Sequence, residues 1–212
     1  MISITMKGLA KFIAAGPSAQ RRVVHDFKYP RQPEPRAQTS YYRDAKNAIR
    51  KFRAESRPTS WLVEQAQLLT TRASVVPSAI AARLKENARA IREYAAHFGG
   101  HDAEILKDIN LSWAVAGVRI KVRPDLHYRE RNRERLMRFE FGSSAPDTRV
   151  LRVLCQSMFE AAAVNGLGVA SRDCSVLDVP RGNVHRLARN HARTVRDIEA
   201  ACKTISDMWP NV

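Results

Sequence analysis

The chain has 212 residues, 44% of them hydrophobic and 27% charged, which is the balance of a globular protein with enough length to bury a core. Lys and Arg number 36 against 21 Asp and Glu, so the net charge is +15 and the pI near 10.5, which points to a polyanionic partner, nucleic acid first. Three widely spaced cysteines, Cys155, Cys174 and Cys202, exclude a disulfide framework and a CxxC zinc site, and the apolar start MISITMKGLAKFIAAG is too short and interrupted to span a membrane, so a cytoplasmic protein with free thiols is expected.

Ser3 or Thr5 can cap a short helix containing Leu9, Phe12 and Ile13, and Gly16-Pro17 ends it. Pro17-Ser18 opens a second helix through Val23, Val24 and Phe27, and the three prolines of KYPRQPEPRAQTS predict a loop over 28–39. Tyr42, Ala45, Ile49 and Phe52 then recur at helical spacing, with Arg43, Lys46, Arg50, Lys51 and Arg53 expected on the other, basic sides. Two further helices are predicted over 59–73 and 78–98, the latter with Ile80, Leu84, Ala88, Ile91 and Tyr94 inward.

After Gly99-Gly100 the period changes from helical spacing to alternation. INLSWAVAG reads as one strand, GVRIKVRPDL as a second with Val118, Ile120 and Val122 on one face, and LMRFEF as a third. HYRERNRER between them reads as a polar hairpin connection or a pair of strand ends. Gly142-Ser143-Ser144 ends the third strand, and a helix follows with Val150, Leu151, Leu154, Met158, Phe159 and Ala162 as core positions. CSVLDVP and NVHRLA form a hairpin across the RGN turn, and a basic helix over 190–207 closes the chain.

Charge divides unevenly along this order. Residues 1–100 carry 18 basic against 7 acidic side chains, and residues 101–212 carry 18 against 14. The expected organisation is a basic helical region over 1–77 followed by an α/β (α+β) domain over 78–212, with a mixed central sheet flanked by helices.

From the helix over 78–98 onward the expected order is helix, three strands, helix, two strands, helix. RPDL places Asp125 at the end of the second strand, LMRFEFG occupies the next, and the following helix carries Gln156. Over roughly residues 78–188 this order resembles the PD-(D/E)xK nuclease superfamily, the restriction-endonuclease-like fold. The resemblance implies that Asp125 and an acid of an ExK motif would coordinate a divalent cation, usually magnesium, while the lysine assists the attacking water.

Here the motif departs from the family. If Glu140 is the ExK acid, Gly142 stands at the lysine position; if Arg138-Phe139-Glu140 is the motif, arginine replaces the acid and glutamate the lysine. Lys121 on the neighbouring strand could supply the amine. Gln156 resembles the start of the QxxxY element of RecB-like members, with Glu160 at the tyrosine position, and Glu86 or Glu93 could supply a further acid.

A basic series, Arg119, Lys121, Arg123, Arg129, Arg131, Arg133, Arg135 and Arg138, is expected to form a continuous cationic edge for phosphates, with His127 and Tyr128 in its loop as stacking groups. Arg186, Arg189 and Arg193 add a second phosphate contact near the start of the last helix. No nucleotide-binding, zincin or hydrolase motif occurs. The resulting expectation is a nucleic-acid-associated binding or scaffold protein with a catalytically impaired nuclease-like domain, working in a defence, mobile-element or DNA-processing complex without a small-molecule cofactor. A magnesium-dependent nuclease using Asp125 and Glu140, and a module binding an acidic protein, are the alternatives.

Overall fold

The computed structural model describes residues 1–30, 41–100, 103–187 and 192–212. Ile2–Thr5 is a strand (β1), and Thr5 caps helix α1, Met6–Ala14, its hydroxyl accepting from the Gly8 N–H at 3.0 Å. The cap agrees with expectation. The strand does not, because it forms by pairing with a segment remote in sequence. Helix α2, Pro17–Lys28, starts on a proline whose missing N–H costs nothing at that position. Beyond Pro30, the loop expected over 28–39 lies outside the described residues.

Helices α3 (Arg43–Ala54), α4 (Thr59–Ala73) and α5 (Ser78–Phe98) follow the predicted periodicity, with Ala45, Ile49 and Phe52 of α3 and Leu84, Ala88, Ile91 and Tyr94 of α5 buried. Two positions depart from it. Ile80 is exposed, and Arg53, expected on the solvent side, is buried at 8% exposure.

Five strands, where three were expected, separate α5 from the next helix: β2 (Glu104–Ile105), β3 (Leu111–Val115), β4 (Val118–Val122), β5 (Leu126–Glu130) and β6 (Arg133–Glu140). The polar connection HYRERNRER is β5, a two-residue turn at Arg131-Asn132, and the start of β6. Both turn residues have left-handed φ, 50° and 59°, the twist that joins antiparallel strands tightly. The strand escaped the alternation test because it is covered on both faces: His127 is buried on one, Leu126 and Tyr128 on the other. His127 and Tyr128 are therefore not loop residues open for stacking. Helix α6 (Thr148–Val164), strands β7 (Cys174–Asp178) and β8 (Asn183–Arg186), and helix α7 (Ala192–Met208) complete the chain.

The strands make two sheets. One has the order β1-β4-β3, with β1 parallel and β3 antiparallel to β4; the other has the order β2-β5-β6-β7-β8, in which only β6 and β7 are parallel. Helix α6 is the crossover that a parallel pair requires. The larger sheet is covered on one face by the core that includes α5 (Leu126, Phe139, Phe141, Leu177) and on the other by the core that includes α6 and the smaller sheet (Leu136, Cys174, Val176). The protein is thus a mixed α/β structure with helices flanking a mixed sheet, as expected.

The boundary expected at residue 77 marks no break in packing. β1 pairs with β4, α1 packs on α6, and α3 and α4 pack on α5. Among the described residues no helix is long and apolar enough to cross a membrane.

Cys155, Cys174 and Cys202 are all free and buried. Burial pushes the Cys155 and Cys202 thiols up to about 12 and Cys174 higher still. Since folding raises these values, the stability they contribute is present below about pH 9 and declines as the pH rises through the folded values. Titration with an aromatic disulfide at pH 8 is expected to find almost no reactive thiol in the native protein and three after unfolding in guanidinium. Fast reaction of any native thiol would contradict this burial.

Candidate functional site

Parallel strands direct their carboxyl ends to one edge of a sheet, where ligands of open α/β structures commonly sit. Here that edge carries Glu140 at the end of β6 and Asp178 at the end of β7, which are partners in register. Asp125 joins them because its N–H donates to Met137 O at 2.8 Å, immediately before β5 begins. It therefore opens the first strand of the β5–β6 hairpin and does not close β4, as RPDL had indicated. β4 ends at Val122, and the chain passes from the smaller to the larger sheet over 123–125.

Asp125, Arg138 and Glu140 share one face by strand parity, and each is largely withdrawn from solvent, with side-chain exposures of 10%, 13% and 21%. Asp125 Oδ1 accepts from Lys46 Nζ at 2.6 Å and Oδ2 from the Phe139 N–H at 2.9 Å. Arg138 lies between the acids: Nε donates to Glu140 Oε1 at 3.3 Å and Nη1 is 3.9 Å from Asp125 Oδ2. Lys7 of α1 stands 3.9 Å from Glu140 Oε2. Asp178, 2% exposed, is held separately by Arg181, at 3.1 and 3.2 Å.

This donor set does not fit magnesium. A hard cation needs several free oxygens, whereas both oxygens of Asp125 are engaged and a guanidinium already lies between the two acids. Among the described residues no group of three or more His, Cys, Asp or Glu side chains could hold a metal ion. The amine beside Asp125 is Lys46. Lys121 is exposed on the outer face of the smaller sheet. Glu86 and Glu93 both pair with Arg89 on α5. Gln156 is fully buried, donates to Glu160 Oε1 at 2.6 Å, and its own Oε1 has no partner.

The basic series is not one stripe. Arg119 and Lys121 belong to β4 and Arg123 follows it, all three exposed beside the smaller sheet. In the larger sheet, register places Arg129 and Arg138 on one face, and Arg133 and Arg135 on the other. Arg129 pairs with Glu104 and Glu134, Arg133 and Arg135 approach Asp173, and Arg135 also meets Glu130 at 3.1 Å. Arg131 is exposed in the hairpin turn. Arg186 and Arg193 are exposed on β8 and α7, and Arg189 lies outside the described residues.

A cleft of about 350 Å³ opens at the carboxylate edge, lined by Lys7, Tyr41, Tyr42, Lys46, Arg138 and Glu140. Tyr42 stacks on Phe141 with ring centres 4.7 Å apart, while Tyr41 is half exposed beside it. Burial, then the Glu86 carboxylate, raises the Tyr42 pKa and keeps its hydroxyl a donor to Phe141 O. Three cations face two carboxylates here, leaving one positive charge in surplus.

Lys7, Lys46 and the two tyrosines carry no periodic signal that would have joined them to the acids. Asn87 does: it lies on the inward stripe of α5, between Leu84 and Ile91, where a polar side chain must find partners. It accepts from Ala45 N–H at 2.9 Å and donates to Tyr41 O and Arg83 O, both at 2.8 Å, fixing the start of α3 and with it Tyr41 and Lys46. No family model matches the chain, and no curated protein matches it.

Asn87→Ala strands the Ala45 N–H and the Tyr41 carbonyl, and is expected to lower stability by about 2–3 kcal/mol. Urea unfolding measures this as a lower midpoint at constant slope. An unchanged midpoint would show that the start of α3 is held by other contacts.

Proposed function

We propose that this protein binds nucleic acid, as a binding or scaffold component, through the cationic cleft at the carboxylate edge of a nuclease-like sheet that no longer assembles a metal centre. The observation that carries this reading is Arg138 between Asp125 and Glu140, with Lys46 and Lys7 completing an excess of positive charge. A phosphodiester neutralises that surplus at little cost in reorganisation, since Lys46 and Arg138 are already held in place by the acids. Tyr41, exposed at the rim, offers a ring face for a base. The element order from α5 through the β5–β6 hairpin, α6 and the β7–β8 hairpin supports the restriction-endonuclease-like reading: β2, β5 and β6 are the three strands of the larger sheet before the crossover.

Fluorescence anisotropy with labelled single-stranded DNA, duplex DNA and RNA, over a salt series, tests this. Binding is expected to weaken steeply and log-linearly with salt. Lys7→Ala should lower affinity about two- to fivefold and reduce the salt slope by about one, as for a phosphate contact. Tyr41→Ala should cost about fivefold or more if a base stacks there. Absence of binding to all three polymers at low salt, or variants indistinguishable from the parent, would overturn the proposal. Magnesium-dependent cleavage that disappears in Asp125→Ala would replace it with a working nuclease.

A further inference from the structure

Helix α4 is buried on one side only, through Leu62, Ala66, Leu69 and Ala73, and packs against α3 and α5. Its outer side is not the charged face that such a helix ordinarily shows to water. Val63, Leu68, Val75 and Ile80, four of the large apolar side chains that stand exposed among the described residues, all fall on α4 and its junction with α5, Leu68 at 57% and Val75 at 81% exposure. In a chain that is 27% charged, such a cluster of uncovered apolar groups marks a contact surface.

The spacing along this side is regular. Trp61, Leu68 and Val75 recur every seven residues, with Glu64 and Thr71 at the intermediate positions, which is the seam pattern of helices that pack on one another. Trp61 is half-buried at the edge toward α3, where Lys51 Nζ stands 5.9 Å from its ring centre, and the other four are exposed.

The charges of the helix say which helix packs there. Glu64 and Arg72 are the only charged residues of α4, both are exposed, and neither makes an ion pair among the described residues. They stand about 12 Å apart along the axis, too far to pair with each other, and Leu68 is midway between them. A twofold axis at Leu68 that sets two α4 helices antiparallel, about 8–10 Å apart, brings Glu64 of each copy level with Arg72 of the other, Val75 level with Trp61, and Leu68 level with itself. A parallel pair instead sets Glu64 against Glu64 and Arg72 against Arg72, and the like charges disfavour it. Two copies at +15 repel over most of their surface, whereas this helix carries one acid and one base and is neutral.

We infer that α4 is a self-association face through which two copies of the chain form an antiparallel dimer about Leu68. At 15 residues α4 is about 22 Å long, so the contact is at the small end of specific interfaces and the dimer is reversible, with a Kd of about 10–100 μM. Helix α4 lines no part of the cationic cleft, so this inference and the nucleic-acid reading can fail separately.

Sedimentation velocity tests it on the full chain, freed of nucleic acid by nuclease and about 1 M salt and then run at about 0.15 M salt over about 5–500 μM. A concentration-dependent shift from monomer to dimer is expected. Leu68→Glu sets two carboxylates face to face on the axis and should weaken the dimer at least about tenfold. Glu64→Arg and Arg72→Glu each set like charges across both symmetric contacts and should weaken it about fivefold, while the double variant Glu64→Arg/Arg72→Glu regains the parental affinity. That recovery distinguishes pairing across the axis from a general effect of charge, and all three positions are exposed, so the fold is retained. A chain that stays monomeric at the highest concentration, a dimer indifferent to Leu68→Glu, or a double variant no tighter than the single ones would each overturn the inference.

Discussion

Carboxylates withdrawn from water must be compensated, and at the carboxyl edge of β6 this constraint decides how the molecule is assembled. Asp125 and Glu140 approach each other because the β5–β6 register demands it. Their charges are then met by cations from three separate segments: Lys7 of α1, Lys46 of α3 and Arg138 of β6 itself. The partly buried pairs cost desolvation as they form, so removing one partner is far more damaging than the pair is stabilising. The consequence is positional. The N-terminal helices are brought against the sheet edge, and the cleft they close is cationic.

The same arrangement links structure to chemistry. A divalent cation and a guanidinium cannot occupy the same few ångströms between two acids, and the acids here are committed to the guanidinium. What remains is an anion-facing surface with its positive groups already oriented. Such a surface suits the phosphate contact proposed above, and few of the acids' oxygens are left for a metal ion.

Much of the fold was legible because the inward stripes of α3, α5 and α6 and the alternation of β4 are direct consequences of one-sided burial. The segments that escaped are those whose structure is decided by remote partners. β1 exists because it pairs with β4, β2 is two residues long, and β5 is covered on both faces, so its polar-looking sequence shows no alternation. For the site, strand parity put Arg138 and Glu140 on one face, whereas Asp125, expected at the end of β4, reaches them by opening β5. Lys7 and Lys46 reach them from helices whose spacing says nothing of the sheet. Arg53 was assigned to solvent because its position on α3 adjoins the exposed side, yet its long side chain runs under the helix to Tyr94. Asn87 was not singled out, although a polar residue on an apolar stripe is a signal of its own.

In crystals soaked in manganese and measured at its absorption edge, anomalous scattering locates the metal without reference to activity. No peak is expected between Asp125 and Glu140, with the Arg138 guanidinium still in contact with both. A manganese ion bound by these two carboxylates, with Arg138 turned away, would contradict that expectation.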